Sequence, residues 1–291
     1  MVVSFVRAPQ VALALAFLGL ISGCQKSEEH PPFAEACTEN CGNLPGISGR
    51  PGGSSNGSAA GSTGQPDTDA GTGTLQGNVL LLSDDTFVHA MLYTNGATIS
   101  ADGANGSPVT STWDGSGLDP DPFSLDGVAR AATNWVSVIP ELVGGDALPT
   151  YQAVQTVRVS NVDLALVPAT VLDGIFGTVS TLRSPDSGQV VLFFHSAGTG
   201  AALSGLHVTM SSAQAAIYSG PRGWVLDDGT ALTDESGLIV FGNVEPANSN
   251  GTQTVSVTRA ATATTPAAAA GQFAVKVVQG AVTIATVDVQ L

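Results

Sequence analysis

Seven short runs constrain residues 74–291 of this chain more than any other feature: "NVLLL", "TVRVSNVDLAL", "GQVVLFF", "LHVTM", "QTVSVT", "FAVKVV" and "AVTIATVDV". Val, Thr, Ile and Leu fill them, and Gly, Asn, Asp and Pro lie between. β-Branched side chains fit a pleated, half-buried surface, whereas a helix restricts their rotamers. Short strands at this spacing, with turn residues between them, are the pattern of an all-β sandwich. The region contains no cysteine, so apolar cores must hold it together. Its 218 residues suffice for two domains of ordinary size.

The order of the pieces recurs. Gly77 opens "GNVLLL" and Gly188 opens "GQVVLF"; Gly96 opens "GATIS" and Gly205 opens "GLHVT". "FSLDGV" at 123–128 is matched by "IVFGNV" at 239–244, and "NWVSV" at 134–138 by "QTVSV" at 253–257. The offsets are 111, 109, 116 and 119 residues. So regular a period reads as two related domains in tandem, 74–170 and 188–291, with a junction at 171–187. Side chains alternate along a strand, which sends Ile239 and Phe241 to one face and Val240 to the other. Phe123 and Leu125 hold the matching inward positions. "DESG" reads as a turn with Gly237 at positive φ, and Gln279-Gly280 as a hairpin turn. In the junction, Val171, Leu172, Ile175, Phe176 and Val179 form a helical stripe behind Pro168, which suits a first turn. Gly174 and Gly177 weaken that helix, and a further strand of the first domain is the other reading.

These residues carry a resemblance. "GTGAALSGLHVTMSS", followed by "TDESGLIVFGNVEPANSNGTQTVSVTR", resembles the carboxypeptidase regulatory-like, transthyretin-like domain. The shared pattern is a Gly-led strand, then T-D-x-x-G-x-x-x-F-x-x-V, then a T-V-x-V strand. Residues 188–258 match it best; residues 76–138 lack the T-D pair in "DGSGLDPDPFSLDGV". The resemblance implies a seven-stranded β-sandwich used as a non-catalytic module, and a broader immunoglobulin-like sandwich fits the same runs. The expected fold is therefore all-β: two tandem antiparallel β-sandwiches, transthyretin-like or immunoglobulin-like, after a disordered tether.

The N-terminus gives an address. Arg7 precedes an apolar stretch of about 11 residues, Val11 to Ile21. A spanning helix needs ~20 apolar residues, so this reads as a secretory signal over 1–23. Ile21-Ser22-Gly23-Cys24 resembles the bacterial lipobox. That resemblance implies diacylglycerol on the Cys24 thiol, with cleavage leaving Cys24 first. Stable anchoring takes more than one acyl chain, and a mature bacterial lipoprotein carries two or three. Gln25 and Lys26 stand where an Asp often retains lipoproteins at the inner membrane. The expected location is the cell envelope, lipid-anchored, at the outer membrane facing the periplasm or at the cell surface.

Residues 24–73 are Gly, Ser, Thr, Pro, Ala and Asp with little to bury, and such a segment stays flexible. A coil of ~50 residues spans ~35–42 Å on average. Cys37 and Cys41 lie within it. Outside the cytoplasm such a pair is usually oxidised, and their spacing permits a local disulfide without requiring one. A zinc site would need four ligands, and only His30 is near. Gly53-Ser54-Ser55-Asn56-Gly57 matches the G-x-S-x-G nucleophile pattern but has no strand before it or helix after it.

Catalytic residue types are scarce. His89, His195 and His207 are the only histidines beyond residue 74, and each reads as a strand residue. The transthyretin-like fold includes a hydrolase of purine breakdown with His, Arg and a C-terminal motif; this chain ends "VDVQL" and lacks that motif. No enzymatic activity is expected. The formal charge of −15 excludes nucleic acid, whose phosphates need a basic surface. Two acidic stretches remain: "WDGSGLDPDP" with Asp114, Asp119 and Asp121, and "LDDGTALTDE" with Asp227, Asp228, Asp234 and Glu235. Each reads either as solvated turns or as loop carboxylates for Ca2+, without the spacing of the twelve-residue calcium loop. Trp113 and Trp224 flank Gly-rich turns and read either as packing under a loop or as a platform for sugar rings. Trp135 is core or edge. The expected role is a non-catalytic interaction or scaffolding module. Its partners would be the membrane, through the lipid on Cys24, and an envelope protein first or a polysaccharide second.

Overall fold

The β-branched runs are strands. The computed structural model describes residues 71–116, 120–130, 133–142, 144–246, 251–261 and 266–290. Cys24, Cys37, Cys41, the Gly53–Gly57 stretch and Asp119 lie outside the described residues. The first half contains β1 (Thr72–Gly77), β2 (Val79–Leu82), β3 (Ala90–Leu92), β4 (Ala97–Asp102), β5 (Pro108–Trp113) and β6 (Phe123–Ala129). It continues with β7 (Thr133–Pro140), β8 (Ala147–Leu148), β9 (Thr150–Gln155), β10 (Val159–Asn161) and β11 (Leu164–Pro168). Helix α1 (Ala169–Thr178) follows. The second half contains β12 (Gly188–Ser196), β13 (Leu206–Thr209), β14 (Ala215–Tyr218), β15 (Val225–Leu226), β16 (Leu238–Val244), β17 (Thr252–Arg259), β18 (Ala268–Lys276) and β19 (Val282–Val289). Strand β1 thus begins at Thr72, inside the stretch read from composition as tether.

The repeat in sequence is in part a repeat in pairing, with β1 in the place of β12 rather than the Gly77-led run, which is β2 and pairs with β11 and β3. β1 has β6 antiparallel on one side and β10 parallel on the other. β12 has β16 antiparallel and β19 parallel. The opposing layers also correspond: β4–β7–β9 form an antiparallel ladder in the first half, and β13–β17–β18 in the second. Each half closes over its own core. Leu75, Ile99, Trp113, Phe123, Leu125, Val136 and Leu164 pack in the first. Val190, Leu192, Phe194, Tyr218, Ile239 and Phe241 pack in the second. The period-two reading holds: Ile239 and Phe241 point into the sandwich, and Val240 points the other way.

The two sandwiches share a sheet. β19 runs parallel to β9, pairing Val282, Thr283 and Ile284 with Thr150, Tyr151 and Gln152. The Val282 N–H donates to the Pro149 carbonyl at 2.8 Å. One nine-stranded sheet results, in the order β15-β14-β16-β12-β19-β9-β7-β4-β5. A third core covers the outer face of its second-half strands. Val191, Phe193, Leu238, Val240 and Ile284 meet Leu82, Phe87, Val167, Leu172, Ile175 and Phe176 there. β12 and β16 are therefore buried on both faces, which explains runs as apolar in both parities as "GQVVLFF" and "LIVF".

The junction is a helix rather than a strand, and Leu172, Ile175 and Phe176 are its buried stripe. Its first turn is closed by Asp146, whose Oδ1 accepts from the Thr170 N–H at 2.9 Å. A carboxylate there suits the positive end of the helix dipole. Close approach fixes one glycine: a Cβ on Gly242 would lie 2.4 Å from the Phe176 ring. Gly237 has φ 64 in the Asp234–Gly237 turn, as the "DESG" pattern predicts. Gln279-Gly280 corrects the hairpin reading. Gly280 has φ 71, and Ala281 N–H donates to the Val278 carbonyl at 3.2 Å, so a turn forms. But β18 belongs to the β13-β17-β18 sheet and β19 to the nine-stranded sheet, so the turn arches between layers.

Candidate functional site

The two tryptophans flanking Gly-rich turns have different fates. Trp113, at the end of β5, is 1% exposed, and its indole N–H donates to the Tyr93 carbonyl at 2.8 Å. A ring so enclosed has no face to offer a sugar, which corrects the ligand-binding reading of Trp113. Trp224 is half-buried at the boundary of the two sandwiches. Its N–H donates to Asp85 Oδ2 at 3.1 Å, and its ring meets Phe87 edge-on, centroids 6.4 Å apart. Phe87 in turn meets Phe193 edge-on at 6.3 Å. Phe87 takes φ 57, a left-handed conformation that a bulky side chain adopts only when its surroundings demand it. Trp135 is half-buried and packs against the second sandwich's core from the first half.

The acidic stretches act first on their own turns. Asp114 accepts from the Ser116 hydroxyl at 2.6 Å, and Asp121 is exposed. Asp227 Oδ1 accepts from the Gly229 N–H at 2.8 Å, and Asp228 Oδ1 from the Thr230 hydroxyl at 2.6 Å. The Thr230 bonds hold the exposed Asp228 carboxyl below its ordinary value. Among the described residues, no three His, Cys, Asp or Glu side chains gather as a metal site.

The histidines make contacts that spacing along the chain hides. His89 bonds Asp84 through its Nδ1 within the Ser83–His89 loop. Burial would raise the Asp84 carboxyl, but bonds from His89 and Thr86 outweigh it and leave it below the usual range. His195, on β12 opposite Asp288, is pushed down by burial, and the carboxylate offsets part of this. His207 on β13 places Nε2 3.6 Å from Asp227 Oδ2. That nitrogen is buried and has no hydrogen-bond partner among the described residues. Asp227 also lines a cleft of about 270 Å³ with Val208, Met210, Ala213, Leu226 and Phe241. Thr209 and Gln214 also line it, so its walls mix aliphatic and polar groups. A second cleft of about 300 Å³ lies along β18 and the end of β19, lined by Phe273, Gln272, Val287 and Asp288.

Strand edges decide what else can bind. β13 is an edge strand, yet its outward backbone groups are occupied. The Val208 N–H donates to the Tyr218 hydroxyl at 2.8 Å, and that hydroxyl donates to the Val208 carbonyl at 2.9 Å. Thr233 does the same for Leu206 through its own hydroxyl and N–H. Burial pushes the Tyr218 hydroxyl up to about 12; its backbone bond lowers it, and Asp227 raises it further. No helix among the described residues is long and apolar enough to cross a membrane.

No family model and no curated protein matches the sequence. Solved structures align over most of the head at low similarity. The shaft pilin SpaA from Lactobacillus rhamnosus GG is 11% identical with a TM-score of 0.21, covering 74% of this chain and 97% of that one. The minor pilin GBS52 from Streptococcus agalactiae is 10% identical with a TM-score of 0.22, covering 75% and 95%. The pilus protein RrgB from Streptococcus pneumoniae is 10% identical with a TM-score of 0.20, covering 77% and 47%.

Proposed function

We propose that this chain is a non-catalytic envelope protein, held by lipid on Cys24, whose fused pair of β-sandwiches serves protein interaction or scaffolding. The observation that carries the reading is the joint. Tandem domains on a loose linker move independently by default. Here a shared sheet and a third apolar core join them, so surfaces on both halves are presented in fixed relation. Tyr218, Thr233 and Asp227 use their polar atoms to close edges and turns. The lipobox-like Ile21–Cys24 supports an anchored location at the outer membrane or cell surface, and the Gly/Ser-rich stretch after it supports a head held away from lipid. A polysaccharide partner is the second reading, and the partly open ring of Trp224 favours it.

The test uses the full-length protein in its native cells. A photo-cross-linking residue is placed in turn at Leu226, Leu182 and Ala274, all exposed. A protein adduct from at least one position, reduced when Cys24→Ser removes the anchor, is the expected result. No protein adduct from any face, with co-sedimentation on envelope polysaccharide that is lost in Trp224→Ala, would replace this reading with glycan binding.

A further inference from the structure

Eleven large apolar side chains are exposed among the described residues, and five lie in two short stretches that touch each other. Val88, Met91 and Leu92 belong to the loop and edge strand β3 of the first sandwich, at 44%, 58% and 37% exposure. Val225 and Leu226 form the edge strand β15 of the second, at 51% and 42%. The Trp224–Asp85 hydrogen bond and the Trp224–Phe87 ring contact bring the stretches together. Apolar side chains clustered in this way mark an interaction surface more often than scattered ones do.

Charge leans the same way. Residues 83–92 and 219–236 contain six acidic side chains, Asp84, Asp85, Asp227, Asp228, Asp234 and Glu235, against one arginine, Arg222. Interfaces match potentials of opposite sign, which steers encounter and rejects like-charged partners. β15 ends the nine-stranded sheet, so an extended segment can lie alongside it. The contrast with β13, whose edge is closed by Tyr218 and Thr233, leaves β15 as the accessible strand at this end of the sandwich.

We propose that Val88–Leu92 and Trp224–Asp228 together form a docking surface for a cationic polypeptide segment in which Lys or Arg side chains accompany aliphatic ones. The surface exists only because the sandwiches are joined, since each supplies half of it. This rests on the reading of the chain as a protein-interaction module and names the chemistry of the partner.

The experiment is selection of a random twelve-residue peptide library on the intact protein. The expected peptides carry net positive charge and aliphatic residues, and their affinity falls as salt rises. Their binding weakens ~10-fold or more in a Leu92→Ser, Leu226→Ser double variant, as loss of central apolar contacts does elsewhere. Asp228→Asn, on a fully exposed carboxylate, weakens it less. Leu182→Ser, at a separate exposed leucine, leaves it unchanged. Enrichment of neutral or acidic peptides, equal binding to the double variant, or no enrichment at all would overturn the proposal. If the cellular cross-linking still captures a protein through Leu182 or Ala274 but not Leu226, this surface fails while the interaction reading stands.

Discussion

The Tyr218 hydroxyl lies between the two backbone groups of Val208, accepting from its N–H at 2.8 Å and donating to its carbonyl at 2.9 Å. A side chain from the nine-stranded sheet thereby occupies the free edge of the opposite layer. An unpaired edge is a template for another strand, and folded proteins block such edges in several ways. Here the block also ties the two layers together, because both residues are almost fully buried.

Removing the hydroxyl should therefore cost more than one ordinary hydrogen bond. Tyr218→Phe leaves a buried N–H and a buried carbonyl without partners, and the expected loss is about 2–3 kcal/mol. Urea denaturation of the variant measures it. A loss below ~0.5 kcal/mol would mean that water or another group replaces the hydroxyl.

Burial of the same hydroxyl predicts a response to alkali. The folded-state hydroxyl titrates near 12 against an ordinary value of 10.0. The contribution is complete below the unfolded value and is lost as pH rises from there through the folded value. The thermal midpoint should fall across that window, less steeply in Tyr218→Phe. Tyr93, also raised by burial, keeps a residual slope in the variant.

The acid side has a separate signature. Burial holds His195 below its ordinary 6.5, so the unfolded chain takes up a proton that the folded chain refuses. Stability from this neutral ring is complete above 6.5 and declines as pH falls below it. A His195→Gln variant should flatten that decline, measured as thermal midpoint against pH. An unchanged slope would assign the decline to other groups.

The third core has its own probe. Gly242→Ala drives a methyl into the Phe176 ring at 2.4 Å, and overpacking of this kind costs about 1–3 kcal/mol. Phe176→Leu in the same chain should recover part of that loss, because the two changes share one space. Strict additivity of the two variants would show that helix α1 does not press on β16.

Much of the architecture is legible in the residues. The alternation of Ile239, Val240 and Phe241 assigns faces correctly. The Gly96- and Gly205-led strands pair alike, with β7 and β17, whereas the Gly77-led run is β2 and does not pair as β12 does. The joint is less legible, although it left a signal. Val190 to Phe194 are apolar at every position, which marks a strand buried on both faces, but such a run does not say what covers its second face. Gln279-Gly280 shows the same limit, since turn chemistry fixes the local backbone and not the sheet that the next strand joins. Trp113 beside a Gly-rich turn reads either as packing or as a platform, and only the fold decides for packing by supplying the Tyr93 carbonyl that takes its N–H. His207 and Asp227 are twenty residues apart in the chain and meet only through tertiary structure.

The account stands on the two sandwiches behaving as one body. Scanning calorimetry of the intact chain tests that directly. The prediction is a single transition with calorimetric and van't Hoff enthalpies in agreement, the mark of one cooperative unit. In that case Gly242→Ala at the joint lowers the whole transition. Two separable transitions, with Gly242→Ala moving only one, would contradict the fused head and the surface that spans it.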